Sequence, residues 1–262
     1  MATLVTFHAH PDDEAIATGG TMAKAVVAGH RVVLVTATGG ERGEVAEGVL
    51  RPGETLAERR AEELAAAARI LGVARTEFLG YRDSGMVGTP GNEDPECFWQ
   101  ADLDEAAARL AAILVEERAD VLTVYDERGV YGHPDHIQVH RVGIRAGELA
   151  GIPRVYESSI NRDAALRMLR AAQESGVPDL VAIDDFDMGL PESELTTAVD
   201  VSSYIETKRA ALMAHASQLP EDSFFRKLTP ETFAIAFATE WYRRRGVRAG
   251  GPVETDIFDG LS

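Results

Sequence analysis

The feature that most restricts the fold of this chain is a regular alternation of short apolar runs with longer helical patterns. The clearest apolar run is RVVLVTAT at 31–38, which is rich in β-branched residues and bounded by glycines. A strongly helical pattern follows at 55–71 and ends at Gly72. Strands separated by helices of ten or more residues are typical of βαβ units. The alternation therefore predicts an α/β fold with a mainly parallel sheet and helices on both faces.

The same pattern places the other elements. Further strands are predicted at 4–7, 76–81, 120–125 and 154–159, and further helices at 12–28, at 102–117 and from residue 133 onward. The stretch 83–97 is punctuated by glycine and proline and is predicted to be a loop. Beyond residue 160 only a helix at 202–217 and a strand at 233–238 are predicted. Residues 1–242 are expected to form one domain, and the aperiodic residues 243–262 a flexible tail.

Composition and charge narrow the possible partners. The chain has 262 residues, 45 % of them hydrophobic and 26 % charged, as in ordinary globular proteins. Its formal net charge of −17 would repel phosphate backbones, so nucleic acid is not an expected partner. The single cysteine, Cys97, excludes an internal disulfide and fits a reducing compartment. No leader sequence or membrane-length apolar run is visible, so a soluble, cytoplasmic protein is expected.

Two histidine-rich segments follow predicted strands. HAHPDDE at 8–14 ends the first strand, and YGHPDH at 131–136 comes soon after the strand at 120–125. Ligands of open α/β sheets bind beyond the carboxyl ends of the strands. A proline followed by acidic residues also suits an ordinary helix start. That reading does not explain why a histidine precedes the proline both times, and the two segments together indicate a metal site.

The residue types in these segments are those that a catalytic zinc ion uses. Such an ion takes three ligands from His, Asp or Glu and keeps one position for water. His10 and Asp13, three apart across a helix start, can converge on one ion, and His136 can complete the set. Asp12 would lie beside the ligands, where a base can take a proton from the attacking water. His133 could face the opposite side, where the leaving nitrogen needs a proton. Iron(II) would suit the same ligands.

These segments resemble the LmbE-like (PIG-L) deacetylases, a family of zinc hydrolases that act on N-acetylglucosaminyl compounds. The resemblance covers about residues 1–240. Its motifs are AHPDDE at 9–14, TATGGERGE at 36–44, RAEEL at 60–64, RDSGM at 82–86, YGHPDH at 131–136 and KRAALMAHASQ at 208–218. RDSGM together with YGHPDH points toward the actinobacterial branch that makes or processes mycothiol.

The resemblance implies a Rossmann-like fold and the same metal ligands and base as the argument from zinc chemistry. It also implies that His133 acts as an acid or electrostatic partner and that Tyr131 polarises the amide oxygen. Arg60 and Asp83 match positions that hold sugar hydroxyls, and Glu44 is expected to line the same pocket. Arg60 would also suit a solvated helix face, and Asp83 a turn.

Three functions follow from this pattern. The first is removal of the N-acetyl group from a GlcNAc-containing small molecule by metal-activated water. The alternative within enzymes is an amidase that cleaves a larger N-acyl group, such as that of a mycothiol S-conjugate. A non-catalytic metal- or nucleotide-binding module is disfavoured by Asp12, because a binding site needs no spare carboxylate there. The chain is shorter than the mycothiol enzymes between residues 44 and 60 and in its last third, so the aglycone and any homo-oligomer stay open.

Overall fold

The computed structural model describes residues 1–174 and 186–261, so residue 262 of the predicted tail lies outside the described residues. The strands are β1 (Thr3–His8), β2 (Arg31–Thr38), β3 (Arg75–Tyr81), β4 (Val121–Tyr125), β5 (Arg154–Ser159), β6 (Thr197–Asp200) and β7 (Thr239–Arg244). The helices are α1 (Asp13–Ala17), α2 (Gly19–Val27), α3 (Leu56–Leu71), α4 (Leu103–Glu116), α5 (Gly129–Gly132), α6 (Pro134–Ala150), α7 (Arg162–Glu174), α8 (Ile205–Met213), α9 (Phe224–Lys227) and α10 (Pro230–Phe237).

The strands form a seven-stranded sheet in the order β3-β2-β1-β4-β5-β7-β6. The first five of these run parallel, and β7 is antiparallel to both β5 and β6. The chain runs outward from β1 through β2 to β3 and then returns to place β4 on the other side of β1. The prediction of a mainly parallel α/β sheet is confirmed. The order in which strands are added to the sheet reverses between β1 and β4, although these two strands are parallel.

Side chains of the central strands alternate between two cores, one on each face of the sheet. Val5 and Phe7 pack in the core that includes residues of α4 and α6. Leu4 packs in the core that includes residues of α2, α3 and α8. All three side chains are fully buried. Helices therefore cover both faces, which is why apolar residues of the central strands point to both sides of the sheet rather than to one.

Several elements agree closely with the sequence patterns. β2 and β5 occupy the predicted residues, and α3 begins after Thr55, whose side chain accepts the N–H of Glu58. The predicted helix at 12–28 is two helices, because the chain leaves helical geometry at Thr18. The Thr18 hydroxyl is instead hydrogen-bonded to the His8 ring, 2.9 Å away.

The predicted strand at 233–238 is wrong, because these residues lie mainly in α10. Pro230 occupies the first turn of this helix, and the Thr229 side chain accepts the N–H of Thr232 at 3.2 Å. These helix-start signals decide the structure of an apolar run that by itself suits either element. The strand begins directly afterwards, at Thr239.

The residues after 242 pack against the domain. Arg243 and Arg244 belong to β7, and the N–H of Glu254 donates to the carbonyl of Thr196 at 2.8 Å. The side chain of Ile257 is 1 % exposed. The domain boundary at residue 242 stays a prediction. Of the helices in the described part of the chain, none combines the length and apolar content that crossing a membrane requires.

Candidate metal centre and active site

The two histidine segments meet at the carboxyl edge of the sheet, where β1 and β4 lie side by side. The first segment leads from β1 into α1, and the second leads from β4 through α5 into α6. This edge is the place where the strand order reverses, and such a switch point opens a crevice between the two outgoing loops. The fold therefore brings the segments together although they are far apart in the sequence.

His10, Asp13 and His136 present donor atoms to one another. Asp13 Oδ2 lies 3.4 Å from His10 Nδ1 and 3.4 Å from His136 Nε2. Ligands at ~2.0–2.1 Å from a tetrahedral zinc ion lie roughly 3.3–3.4 Å from each other, so this spacing suits a shared ion. His10 is 7 % exposed and His136 2 % exposed. The three residues could therefore hold a metal ion in a largely enclosed position.

His133 adds a third imidazole close to these ligands. One ring nitrogen each of His10, His133 and His136 lies within 4.8 Å of the others. His133 Nδ1 accepts the backbone N–H of Asp135 at 3.1 Å and so caps α6. Burial and the neighbouring His10 and His136 lower the pKa of His133 to about 4. The ring is therefore neutral at neutral pH, with its proton on Nε2.

Asp135 is a site residue that the sequence reasoning missed. It is fully buried, and Oδ2 accepts hydrogen bonds from His10 Nε2 at 3.1 Å and from the backbone N–H of Ser84 at 2.9 Å. The Ser84 hydroxyl donates to the other oxygen. A carboxylate on the far nitrogen of a metal-binding histidine fixes its tautomer and its orientation. The acid between the two histidines of HPDH was the available signal.

Asp12, the residue before Asp13, has an unusual backbone conformation. Its φ is 114° and its ψ is −33°, a region that residues with a Cβ rarely adopt. The Asp12 N–H donates to Glu14 Oε2 at 2.9 Å, and Arg60 Nη2 lies 3.2 Å from Asp12 Oδ1. Burial raises the pKa of Asp12 to about 6 even though Arg60 opposes the rise. Asp12 is thus a carboxylate that can both accept and release a proton near neutral pH.

Tyr131 lies beside the third ligand. Its hydroxyl is 3.4 Å from His136 Nε2, and the residue is 45 % exposed. Burial of the phenol group and the nearby Asp13 carboxylate raise the pKa of Tyr131 well above its ordinary value. The hydroxyl therefore keeps its proton and can donate a hydrogen bond.

A strained turn precedes Tyr131. Val130 has a φ of 67° and a ψ of −54°, which is unfavourable for a β-branched residue. Asp126 Oδ1 accepts the N–H groups of Arg128 at 2.9 Å and of Val130 at 3.0 Å. Asp126 Oδ2 accepts the hydroxyl of Ser159 at 2.5 Å. Asp126, which carries no motif signal, therefore fixes the turn that presents Tyr131.

Arg60 is 3 % exposed and contacts the segment between β1 and α1. Its Nη1 donates to the carbonyl of Gly40 at 2.9 Å, and its Nη2 donates to the carbonyl of Pro11 as well as lying near Asp12. These contacts make Arg60 a support of Asp12. The predicted contact of Arg60 with sugar hydroxyls stays a prediction.

Asp83 and Glu44, the other predicted sugar-binding residues, differ in position. Asp83 is 3 % exposed, and its Oδ1 lies 3.5 Å from His10 Nε2 and accepts the N–H of Gly85 at 2.8 Å. The side chain of Glu44 is exposed, and its backbone carbonyl accepts the amide of Gln218 at 3.0 Å. The structure thus brings Asp83 to the metal-ligand cluster and leaves Glu44 on a surface loop. Both substrate-binding roles stay predictions.

The chain has relatives among known proteins. The fold and the buried imidazole–carboxylate cluster define a class of α/β proteins with a candidate metal site where the strand order of the sheet reverses. The family model for PIG-L, described as GlcNAc-PI de-N-acetylase, matches residues 5–147, which include both histidine segments. A 1D-myo-inositol 2-acetamido-2-deoxy-alpha-D-glucopyranoside deacetylase from Acidothermus cellulolyticus is 43 % identical over 282 residues, covering 100 % of this chain and 96 % of that protein. The chain belongs to the PIG-L family and is a hydrolytic N-deacetylase, as the motifs predict.

Solved structures share the fold. An N,N'-diacetylchitobiose deacetylase from Pyrococcus horikoshii matches with a TM-score of 0.60 and 24 % identity, over 92 % of this chain and 83 % of that one. A 4-carboxy-2-hydroxymuconate hydratase from Pseudomonas putida matches with a TM-score of 0.62 and 19 % identity, over 97 % and 100 % of the two chains. The second protein is named for a different reaction, so the fold by itself does not fix the chemistry.

Proposed function

We propose that this chain hydrolyses the N-acetyl group of a small GlcNAc-containing conjugate, with one zinc ion held by His10, Asp13 and His136. The observation that carries the proposal is that Asp13 Oδ2 lies 3.4 Å from a ring nitrogen of each histidine. The spare carboxylate of Asp12 next to this set supports catalysis rather than storage of the metal. The deacetylase names of the relatives support the amino-sugar substrate.

The side chains of the site then have distinct roles in the reaction. A divalent ion at this position supplies Lewis-acid chemistry, which polarises an amide carbonyl and lowers the pKa of a water molecule. Asp12 takes a proton from the attacking water and returns it to the leaving nitrogen, giving acetate and a free amine. Tyr131 donates a hydrogen bond to the amide oxygen as negative charge develops there. His133 acts as an electrostatic partner through its Nε2–H, because its Nδ1 already accepts a backbone N–H.

Two variants test the ligand set and the base separately. His136→Ala should lose the metal and all measurable activity, because one of three ligands is gone. Asp12→Ala should keep a full equivalent of metal and lose roughly 10²–10⁴-fold in turnover, the usual range for removing a general base. Metal is measured by mass spectrometry of the purified protein, and turnover by acetate release. A His136→Ala protein with a full equivalent of zinc would falsify the ligand set, and normal turnover of Asp12→Ala would exclude its role.

The acyl group is tested with matched substrates. The metal-free protein is reloaded with zinc or with iron(II) and given the same amino-sugar conjugate carrying either an acetyl or a cysteinyl group on its nitrogen. We expect turnover of the acetyl compound, with a much lower kcat/KM for the larger acyl group. The reverse preference would identify the amidase alternative.

A further inference from the structure

Behind Asp12 lies a buried pair of residues that the proposed chemistry does not use. Glu14 and His215 are both fully buried, and His215 Nε2 donates to Glu14 Oε1 at 2.7 Å. The second oxygen of Glu14 accepts the backbone N–H of Asp12 at 2.9 Å. A residue just beyond α8 is therefore connected through one carboxylate to the backbone of the proposed base.

The backbone of Asp12 needs such a connection. A φ of 114° is unfavourable for any residue with a Cβ, and such conformations persist only where surrounding contacts fix them. The carbonyl of Asp12 accepts the N–H of Ala15 at 3.1 Å in the first turn of α1, which fixes the peptide unit that follows the Asp12 Cα. The N–H on the other side is held by Glu14. If Glu14 moves, Asp12 can relax to an ordinary conformation and its side chain turns with it.

His215 is poorly explained as a residue that only stabilises the fold. Within the described residues its Nδ1 is buried without a hydrogen-bond partner, which costs free energy. Replacing a buried charged pair by apolar residues is often neutral for stability or favourable. Among the described residues, the one side-chain hydrogen bond that this ring makes is to Glu14. What the ring contributes is therefore the fixed position of the Glu14 carboxylate.

We propose that His215 and Glu14 are positioning residues for the deacetylation. The ring orients the Glu14 carboxylate, and the carboxylate holds the strained backbone that aims Asp12 at the attacking water. Neither residue touches the substrate, since both are fully buried. This inference rests on the proposed role of Asp12 as the base.

The test compares variants of His215. His215→Ala should lower kcat roughly 10- to 100-fold, the scale of a small misplacement of a catalytic group, with KM and metal content unchanged. His215→Gln places an amide N–H near the position of Nε2 and should recover most of this loss. His215→Asn is one carbon shorter, does not reach Glu14 and should behave like His215→Ala. If the alanine variant does not fold, the Gln and Asn variants carry the same comparison, and equal kcat values in these two would overturn the proposal.

Ser217→Ala is the matched control on the same segment. The Ser217 hydroxyl donates to Glu63 Oε2 at 2.6 Å, and within the described part of the chain Ser217 makes no hydrogen bond to Asp12 or Glu14. Its removal should lower the melting temperature and leave kcat unchanged. A loss of kcat as large as that of His215→Ala would mean that any loosening of this segment impairs the enzyme, and the specific role would be wrong.

A double-mutant cycle separates this proposal from the proposed function. In an Asp12→Ala background, His215→Ala should have no further effect on kcat, because the group that it positions is already absent. An undiminished further loss in that background would overturn the positioning role. Normal turnover of Asp12→Ala alone would instead overturn the proposed function, so the two failures are distinguishable.

Discussion

The loops that follow β1 and β4 each hold a strained residue beside the proposed site, and the residues that stabilise the strained backbone differ. Each contains a non-glycine residue with a positive φ, Asp12 in the first loop and Val130, which precedes Tyr131, in the second. In each loop a carboxylate accepts the N–H of the strained residue, from Glu14 in the first and from Asp126 in the second. Strain beside the proposed site is thus fixed by the same type of bond in both loops.

The two loops differ in how far along the chain their supports lie. Arg60 contacts the first loop from 49 residues away, and His215 contacts Glu14 from 201 residues away. Asp126 acts on Val130 from 4 residues away and is held by Ser159, 33 residues away. The supports of the first loop thus reach farther along the chain, although the carbonyl of Val130 in the second loop also accepts the N–H of Gly189 at 2.8 Å. Substitutions far from the site should accordingly affect Asp12 more than Tyr131.

The largest effect that tests this difference is expected at Arg60. Arg60→Ala removes the contacts to the carbonyls of Pro11 and Gly40 and to the Asp12 carboxylate, and should lower kcat roughly 10- to 100-fold with the metal content unchanged. Arg59→Ala is the control, because Arg59 forms an ion pair with Glu54, at 2.8 Å. This substitution should change kcat little. A rise in KM with normal kcat would show instead that Arg60 holds the sugar.

A smaller effect is expected from the second loop. Asp126→Ala frees the turn before Tyr131 and should lower kcat roughly tenfold, a loss that should disappear in a Tyr131→Phe background. Asp102→Ala is the control, because it removes a cap bond of 2.9 Å to the N–H of Glu105 on α4. That change should cost about 1 kcal/mol of stability and leave kcat unchanged. An Asp126→Ala loss that persists without the Tyr131 hydroxyl would show that the turn acts on something else.

Two glycines with a positive φ test the position of Arg60 through the free energy of unfolding. Gly40 has a φ of 64°, and a Cβ there would lie 2.5 Å from Arg60 Cζ. Gly48 has a φ of 74°, and a Cβ there would meet no described atom within 4 Å. Each alanine substitution should cost about 1–2 kcal/mol from backbone strain. Gly40→Ala should cost more than that and also lower kcat, because it displaces Arg60. Chemical denaturation and acetate release measure both, and equal costs with equal kcat would mean that Arg60 moves aside freely.

The smallest effect is a pH dependence of stability. Burial lowers the pKa of His215, but the nearby Glu14 carboxylate outweighs this effect and raises that pKa above 6.5. Burial raises the pKa of Glu14, but the nearby His215 outweighs this effect and lowers that pKa below 4.5. The histidine's contribution is complete below pH 6.5 and is lost as the pH rises through its folded-state pKa. The glutamate's contribution is complete above pH 4.5 and is lost as the pH falls through its own.

Wild type should therefore exceed His215→Gln in free energy of unfolding by the widest margin between about pH 4.5 and 6.5. The margin should narrow at alkaline pH, where His215 loses its proton. Urea denaturation of both proteins over a pH series measures it. A margin that widens at alkaline pH would show that His215 is neutral in its contact with Glu14.

The fold is most predictable where each element carries its own complete signal. β2 is a β-branched run between glycines, and α3 has a cap at Thr55 and a left-handed end at Gly72. The last third gives weaker signals, because β7 is a polar sequence whose burial depends on β5 and β6 on its two sides. The apolar run at 233–238 suits a helix or a strand, and its assignment required the cap at Thr229.

The same reasoning explains what could be predicted of the site. The candidate ligands and Asp12 lie within two short motifs, so their residue types and spacing are visible in the sequence. The contact of Asp135 with His10 spans 125 residues, and that of His215 with Glu14 spans 201. Such pairs are created by packing of distant elements, so the sequence can show the acid within HPDH but not the histidine that it contacts. The partners that orient the predicted residues are therefore seen only in the folded structure.

The long reach of these contacts affects how the protein is made. Every candidate ligand has been synthesised by residue 136, but the Glu240 carboxylate accepts the N–H groups of Gly20 at 2.8 Å and Thr21 at 2.9 Å. A nascent chain leaves the ribosome from its N-terminus, so α2, which follows the first loop and α1, lacks these two bonds until almost the whole chain has emerged. A fragment that stops at residue 200 would carry all the ligands and Asp12 but no finished site. We therefore expect full activity only from chains whose synthesis has reached the last strand.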